Sequence, residues 1–330
     1  MAVDRSTPVV VTGGAGFVGL HLVEHLARQG RSVVSLDRSP PDRMARDVAA
    51  RFGDQIRFQS CDARDAGALA AIIAAMGSAD VVHAAAITSG SAQQTLAMLD
   101  LHVRTTQVLI DLAGGGHIRR LVVLSSAGVL QSVDEAEMLP EEYPVTLDSA
   151  YAITKHAAER LVYLARVEGI DAVALRLPAI YGPYERPTGS RTRMSAVFEA
   201  VHLARAGTMI TANGPDMKRD WTHAADIAMG IALVLQNGTL DHGLYHLGAG
   251  QGYTTRETLD AVVAGTPGAG LTWVDDIDDA NVPVSTARGR AALGIERARD
   301  EFGFEPGFSL ESGIREYIAY LKSVGDRQPA

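Results

Sequence analysis

Short runs of β-branched and aliphatic residues alternate with longer stretches of helical apolar spacing through the first half of the chain. The runs at 9–11, 32–36, 56–59, 80–83, 121–124 and 172–177 read as strands. Between them, 20–28 reads as an amphipathic helix closed by Gly30, and 96–113 as another closed by the glycines at 114–116. Six strands in this rhythm predict a parallel sheet with crossover helices, an α/β fold of the Rossmann-type, doubly wound kind. After Leu177 the rhythm breaks, with Pro178, Gly182, Pro183, Pro187 and Gly189 falling close together, which predicts a long loop leaving the sheet. Helical patterns follow at 194–206 and after His223, around a turn at Asn213-Gly214-Pro215, and 244–247 reads as a last sheet strand. The remainder, from Gln251 to a final helix at 310–321, reads as a smaller α+β cap. The expected division is one large unit over 1–177, to which 220–248 returns, and a C-terminal α+β unit made of 178–219 and 249–330.

Composition narrows the function classes. The 330 residues carry a net charge of -9, which leaves no basic field for nucleic acid, and 5% aromatic residues offer few stacking platforms. The single cysteine, Cys61, excludes an internal disulfide and a cysteine-based zinc cluster. No metal is therefore expected, and the cytoplasm is the expected address. No run reaches the roughly 20 apolar residues of a membrane span, and the first residues lack the apolar core of a signal peptide. Of the 30 basic residues only Lys155, Lys218 and Lys322 are lysines. Coding bias accounts for the rarity, and it makes each lysine a candidate for a role that arginine cannot fill.

The first strand runs into Thr12-Gly13-Gly14-Ala15-Gly16-Phe17-Val18-Gly19 and then a helix. Gly14, Gly16 and Gly19 fit G-x-G-x-x-G, and Gly13, Gly16 and Gly19 fit G-x-x-G-x-x-G. Either spacing lets the backbone approach a pyrophosphate at the helix N-terminus. Asp37 ends the second strand about 20 residues later, where a carboxylate accepts hydrogen bonds from both ribose hydroxyls and repels the 2′-phosphate of NADP. NAD is thus the expected cofactor, although Arg38 is a residue type that can hold a 2′-phosphate. Asp62 follows the third strand, and reads equally as an adenine contact or as the N-cap of the helix beginning near Ala66.

Nine tyrosines and three lysines give about 0.08 Tyr-x-x-x-Lys pairs by chance, and the chain has one, Tyr151 and Lys155. At the start of a helix both fall on one face. An ammonium beside a phenol favours phenolate, which can take a proton from an alcohol as hydride leaves the same carbon.

These motifs, with His83-Ala84-Ala85-Ala86, Ser125-Ser126-Ala127-Gly128-Val129, Leu175-Arg176 through Tyr181-Gly182-Pro183, and Arg219-Asp220-Trp221 through Asp226, stand in the order found in the extended short-chain dehydrogenases/reductases. Nearly the whole chain resembles the NAD-dependent epimerase/dehydratase branch of that family. The resemblance implies that 1–177 binds NAD and the C-terminal unit the substrate. It places cofactor contacts at Gly13, Gly16, Phe17, Val18, Gly19, Asp37, Arg38, Asp62, Ala63, Ala84, Ala85, Tyr151, Lys155 and Pro178. It implies that Ser126 orients the reacting hydroxyl, Tyr151 is the acid/base, and Lys155 holds the nicotinamide ribose. It also implies a homodimer through the helices at 96–113 and 149–168.

Departures from the family pattern bear on the substrate. Dehydratases of this branch carry Asp-Glu after the catalytic hydroxyl residue, where this chain has Ala127-Gly128, so water elimination is not expected. Nucleotide-sugar epimerases carry asparagines at the positions of Ala179 and His102, and His102 reads as a satisfied helix histidine. Arg186, Arg191 and Arg193 suit a substrate carboxylate or phosphate, Ala127 and Arg219 are further candidate substrate contacts, and Arg288 and Arg290 carry little weight. The expected activity is NAD-dependent oxidation of a secondary alcohol on a carbohydrate-like substrate, a sugar, sugar acid or lactone. The alternatives are a nucleotide-sugar epimerase with tightly bound NAD and a catalytically silent NAD-sensing protein.

Overall fold

Seven strands of the expected rhythm hydrogen-bond side by side, every pair parallel. They are β1 (Val9–Thr12), β2 (Val33–Asp37), β3 (Ile56–Ser60), β4 (Ala79–His83), β5 (Ile118–Ser126), β6 (Ala172–Leu177) and β7 (Leu244–His246). The computed structural model describes residues 7–88, 94–130, 138–188, 194–284 and 290–325. The strand order is β7-β6-β5-β4-β1-β2-β3, so the chain moves outward from β1 to β3, returns to β4, and winds the other way. The reversal at β1 and β4 opens a crevice at the carboxyl ends of the strands, where ligands of doubly wound sheets bind. Because both faces are covered by helices, β1, β4 and β6 are buried throughout, and their sequences are mainly apolar rather than alternating, with Asp80, His83 and Arg176 buried among the aliphatic residues.

The helices of this unit are α1 (Phe17–Arg28), α2 (Arg43–Phe52), α3 (Ala66–Ala74), α4 (Thr105–Gly114) and α5 (Ala150–Val167). The expected helix at 96–113 is interrupted: a short turn at Thr95–Met98 leads into a π-helical segment at Leu99–Arg104 before α4 begins. The chain leaves the sheet after β6, as expected, but the proline-rich stretch holds a short strand, Ala179–Tyr181, paired with Trp221–His223. α6 (Ala196–Arg205), α8 (Thr255–Gly265) and α10 (Leu310–Val324) enclose a second core that includes Val197, Val201, Leu259, Val262, Ile314 and Tyr317. Between them the chain re-enters the first unit: α7 (Ala224–Gln236) packs on α1 through Ile227, Ile231 and Leu235, and β7 joins the sheet. A further short helix, α9 (Glu296–Phe302), packs near β7. No helix among the described residues is long and apolar enough to cross a membrane.

Candidate active site

The glycine turn is built so that backbone, not side chains, faces the crevice. Gly13 adopts φ +70°, and a Cβ on it would lie 2.7 Å from the Ala85 Cα. A Cβ on Gly19 would overlap the Gly13 carbonyl oxygen, so α1 can rise this tightly from the turn only with hydrogen at that position. No side chain caps α1, whose N-cap is Gly16. The positive dipole end of α1 therefore faces the crevice with no side-chain acceptor on it.

One cavity is lined by Gly13, Gly16, Phe17, Val18, Gly19, Asp37, Arg38, Asp62, Ala63, Ala84 and Ala85, all of them expected cofactor contacts. Burial pushes the Asp37 carboxyl above its ordinary range, while N–H donors from Ser39 and Arg38 pull it back. Hydroxyl donors from a ribose would relieve the same strain. Asp62 is not the cap of α3; that role belongs to Asp65, which accepts from the Ala68 N–H at 3.0 Å. Asp62 instead receives the Arg64 guanidinium at 3.0 Å (Nε) and 2.6 Å (Nη2), and that contact holds its carboxyl below the usual range.

Ser126 is the last residue of β5, and its Oγ accepts from the Gly128 N–H at 3.0 Å. α5 is capped by Ser149, which accepts from the Ala152 N–H at 3.1 Å, and this start places Tyr151 in the first turn with Lys155 one turn on. The Lys155 Nζ lies 5.8 Å from the centre of the Tyr151 ring and donates to the Leu124 carbonyl at 2.8 Å. Burial pulls the Lys155 pKa down to about 8, against the opposing charge of Glu159. Ser126, Tyr151, Lys155 and Pro178 line a second cavity, which shares Phe17, Val18, Ala84, Ala86 and Thr88 with the first. Among the described residues lining it there is no carboxylate.

Two buried histidines stand beside the ammonium. His83 donates through Nε2 to the Leu101 carbonyl at 3.1 Å and faces the Thr12 hydroxyl through Nδ1 at 2.7 Å. The Ile87 N–H donates to His102 Nε2 at 3.1 Å, so the proton of that ring is on Nδ1 and goes to Thr154 Oγ1 at 2.9 Å. Burial first, then the Lys155 charge, holds His83 at about 4 and His102 at about 2. His102 is thus a satisfied, neutral histidine, its ring edge-on to Tyr151 with centroids 5.8 Å apart.

A third group of residues carries positive charge to the same place. Ser126, Ala127, Pro178, Arg219, Asp220 and Arg290 line one small cavity. Burial, with the Arg290 charge added, pulls the Arg219 pKa down to about 10. The two guanidiniums repel each other across a half-buried cleft whose lining also holds the Asp220 carboxyl. Next to them Asp220 is buried and accepts from the Thr222 hydroxyl at 2.7 Å, the Ala249 N–H at 3.0 Å and the Leu293 N–H at 3.1 Å, which ties together the segments carrying the two arginines. Arg290, given little weight from its spacing in the sequence, thereby lines the same cavity as Ser126, while Arg191, Arg193 and Arg288 lie outside the described residues. Arg186 stands apart from the substrate side, against the glycine turn.

The model of the NAD dependent epimerase/dehydratase family matches residues 9–248. The UDP-glucose 4-epimerase of Mycolicibacterium smegmatis is 29% identical over 318 residues, covering 95% of this chain and 98% of its own. The dTDP-glucose 4,6-dehydratase of an Actinoplanes species is 28% identical over 329 residues, covering 96% and 98%. Among solved structures, the UDP-glucose 4-epimerase of Thermus thermophilus in complex with NAD superposes with a TM-score of 0.79 at 25% identity, covering 97% of this chain and all 100% of that one.

Proposed function

Since the chain belongs to the NAD-dependent epimerase/dehydratase family, we propose that it binds NAD through the two adjoining cavities and oxidises a secondary alcohol of an anionic sugar. The adenosine end falls to Asp37 and Asp62, the pyrophosphate to the N-terminus of α1, and the nicotinamide end to Tyr151, Lys155 and Pro178. The cradle left by Gly13 and Gly19, which any Cβ would fill, supports that fit. Bound NAD supplies the hydride acceptor. Tyr151 takes the hydroxyl proton, Ser126 orients the oxygen, and Lys155 keeps positive charge beside the phenol. The lack of a carboxylate among the described residues of the second cavity argues against elimination of water, which needs a general acid and base at Ala127-Gly128. The unit over 1–177 with 220–248 serves the cofactor, and 178–219 with 249–330 the substrate. We read the protein as a cytoplasmic homodimer.

The observation that carries the substrate class is the Arg219–Arg290 pair beside Ser126. It favours a sugar bearing a diphosphate, hence a nucleotide-sugar epimerisation in which hydride returns to the other face of the oxidised sugar. Net dehydrogenation of a sugar acid or lactone is the second reading, supported by Ala179 and His102 standing where the epimerases carry asparagine. The deciding experiment offers UDP-, dTDP- and GDP-sugars, sugar acids and lactones with NAD. Product is followed by NMR and free NADH at 340 nm. Epimer without accumulating NADH supports the first reading; NADH formed from a simple sugar acid or lactone replaces it with the second. Tyr151→Phe should lower turnover by about 10²–10⁴-fold while leaving NAD affinity within about twofold.

A further inference from the structure

Arg186 comes from the stretch after β6, in company with the loop that the sequence assigns to the substrate, yet its side chain is buried on the cofactor side. Its Nη2 donates to the Ala15 carbonyl at 2.7 Å, inside the glycine turn, and its Nε to Asp42 Oδ2 at 2.5 Å. Nη1 closes back on the Tyr184 carbonyl at 2.8 Å. Asp42 is itself the N-cap of α2, accepting from the Ala45 N–H through its other oxygen at 2.9 Å. One guanidinium therefore spans the glycine turn, the start of α2 and the strand-to-loop segment, and it lines the same cavity as Gly16 and Asp37.

The segment is held to this course at some cost. Tyr184 has φ +67°, the sole positive φ outside glycine among the described residues, which is unfavourable for a bulky side chain. Three contacts to the first unit hold it there: the Tyr184 hydroxyl on Glu24 Oε2 at 2.5 Å, Arg51 on the Tyr184 hydroxyl at 3.0 Å, and His21 Nε2 on the Pro183 carbonyl at 2.6 Å. A strained residue fixed on both sides aims the next but one at Ala15.

Resting on the reading that NAD occupies this cavity, we infer that Arg186 is a positioning residue for the cofactor's pyrophosphate. It clamps the Ala15 carbonyl and so fixes the turn, closed by the Gly16 N–H on the Gly13 carbonyl at 3.0 Å, at which α1 begins and presents its positive dipole end to the pyrophosphate. The adenosine end falls to Asp37 and Asp62, at the ends of other strands; Arg186 bonds to neither carboxylate and reaches Asp37 through Ala15, whose N–H donates to it. Loss of Arg186 therefore acts on ligands containing the diphosphate and spares the nucleoside.

The test measures binding to the full chain. NAD and ADP-ribose are titrated calorimetrically, and adenosine by ligand-observed NMR, for the wild type, Arg186→Met and Arg186→Lys. Charge-assisted hydrogen bonds of this kind correspond to a loss of about ten- to hundredfold in affinity. That loss is expected for NAD and ADP-ribose in Arg186→Met, an intermediate one in Arg186→Lys, and a change within about twofold for adenosine. NAD affinity that survives Arg186→Met overturns the inference, and so does an adenosine affinity that falls as far as that of NAD, which would mean general loosening of the pocket. Should Arg186→Met not fold, the same two comparisons on Arg186→Lys decide. A wild type that binds neither NAD nor ADP-ribose overturns the underlying reading and this inference together; a binding wild type with an indifferent variant overturns the inference alone.

Discussion

At Lys155 two effects oppose each other, and their balance sets a pH dependence. Desolvation favours the neutral amine, the Glu159 carboxylate favours the ammonium, and desolvation wins, leaving a pKa of about 8. Since the folded value lies below the ordinary 10.5, the charged lysine costs the fold stability below pH 8, and that cost is relieved as pH rises towards 10.5. On the proposed function the activity runs the other way, because the ammonium would be the form that serves the cofactor ribose and the phenol. NAD dissociation constants measured from pH 7 to 9.5 should rise above about pH 8, by at most about tenfold per pH unit, and Lys155→Met should give a weaker but flat profile. A flat wild-type profile would remove the ammonium from cofactor binding. His83 and His102 contribute nothing to an acidic limb, as both stay neutral down to about 4 and about 2. That Lys155 stands with Tyr151 at the start of one helix was legible from their spacing alone. The depth of its burial was not, because burial is set by β5 and by the segment around His102, both distant in sequence.

The segment running from Thr95 through the π-helical Leu99–Arg104 into α4 shows where local pattern stops being informative. Its apolar spacing reads as one helix, and so it is, but for a stretch of wider turns that carries the His102 ring inward to Thr154 and Ile87. A π turn gives up regular bonding locally and is offset by contacts elsewhere. His102→Ala leaves the Ile87 N–H without its acceptor and Thr154 without its donor, and should destabilise the protein by about 1–3 kcal/mol in denaturant unfolding; an unchanged midpoint would make the ring dispensable. The strands were legible for the opposite reason, since a parallel strand buried on both faces needs a continuous apolar run wherever its partners come from. Arg186 was misread because its direction depends on the positive φ at Tyr184, which no residue type there announces. That Arg290 shares a cavity with Arg219 was not legible, because only the fold of 249–330 brings the two together.

Over the whole molecule, the exposed apolar residues are concentrated on the two helical segments expected to pair protomers. Leu96, Leu99, Ile153, Tyr163, Leu164 and Val167 are all exposed, Leu96 by 79% and Val167 by 70%. Exposed apolar residues grouped in this way mark an interaction surface. Light scattering should give twice 34.9 kDa for the wild type and 34.9 kDa for Leu164→Asp combined with Val167→Asp; a wild type at the lower mass would refute the homodimer. The path of the chain has a separate consequence. The C-terminal unit is not one block but an insert, 178–219, and a following stretch, 249–330, because α7 and β7 return to the sheet between them. Truncation after β6 would strip the edge strand from the sheet and the cover from α1, so it would not leave a smaller working cofactor module. If the proposed division of labour holds, recombination that exchanges substrate preference between relatives must transplant two separate stretches at once, matched to each other at the Asp220 junction.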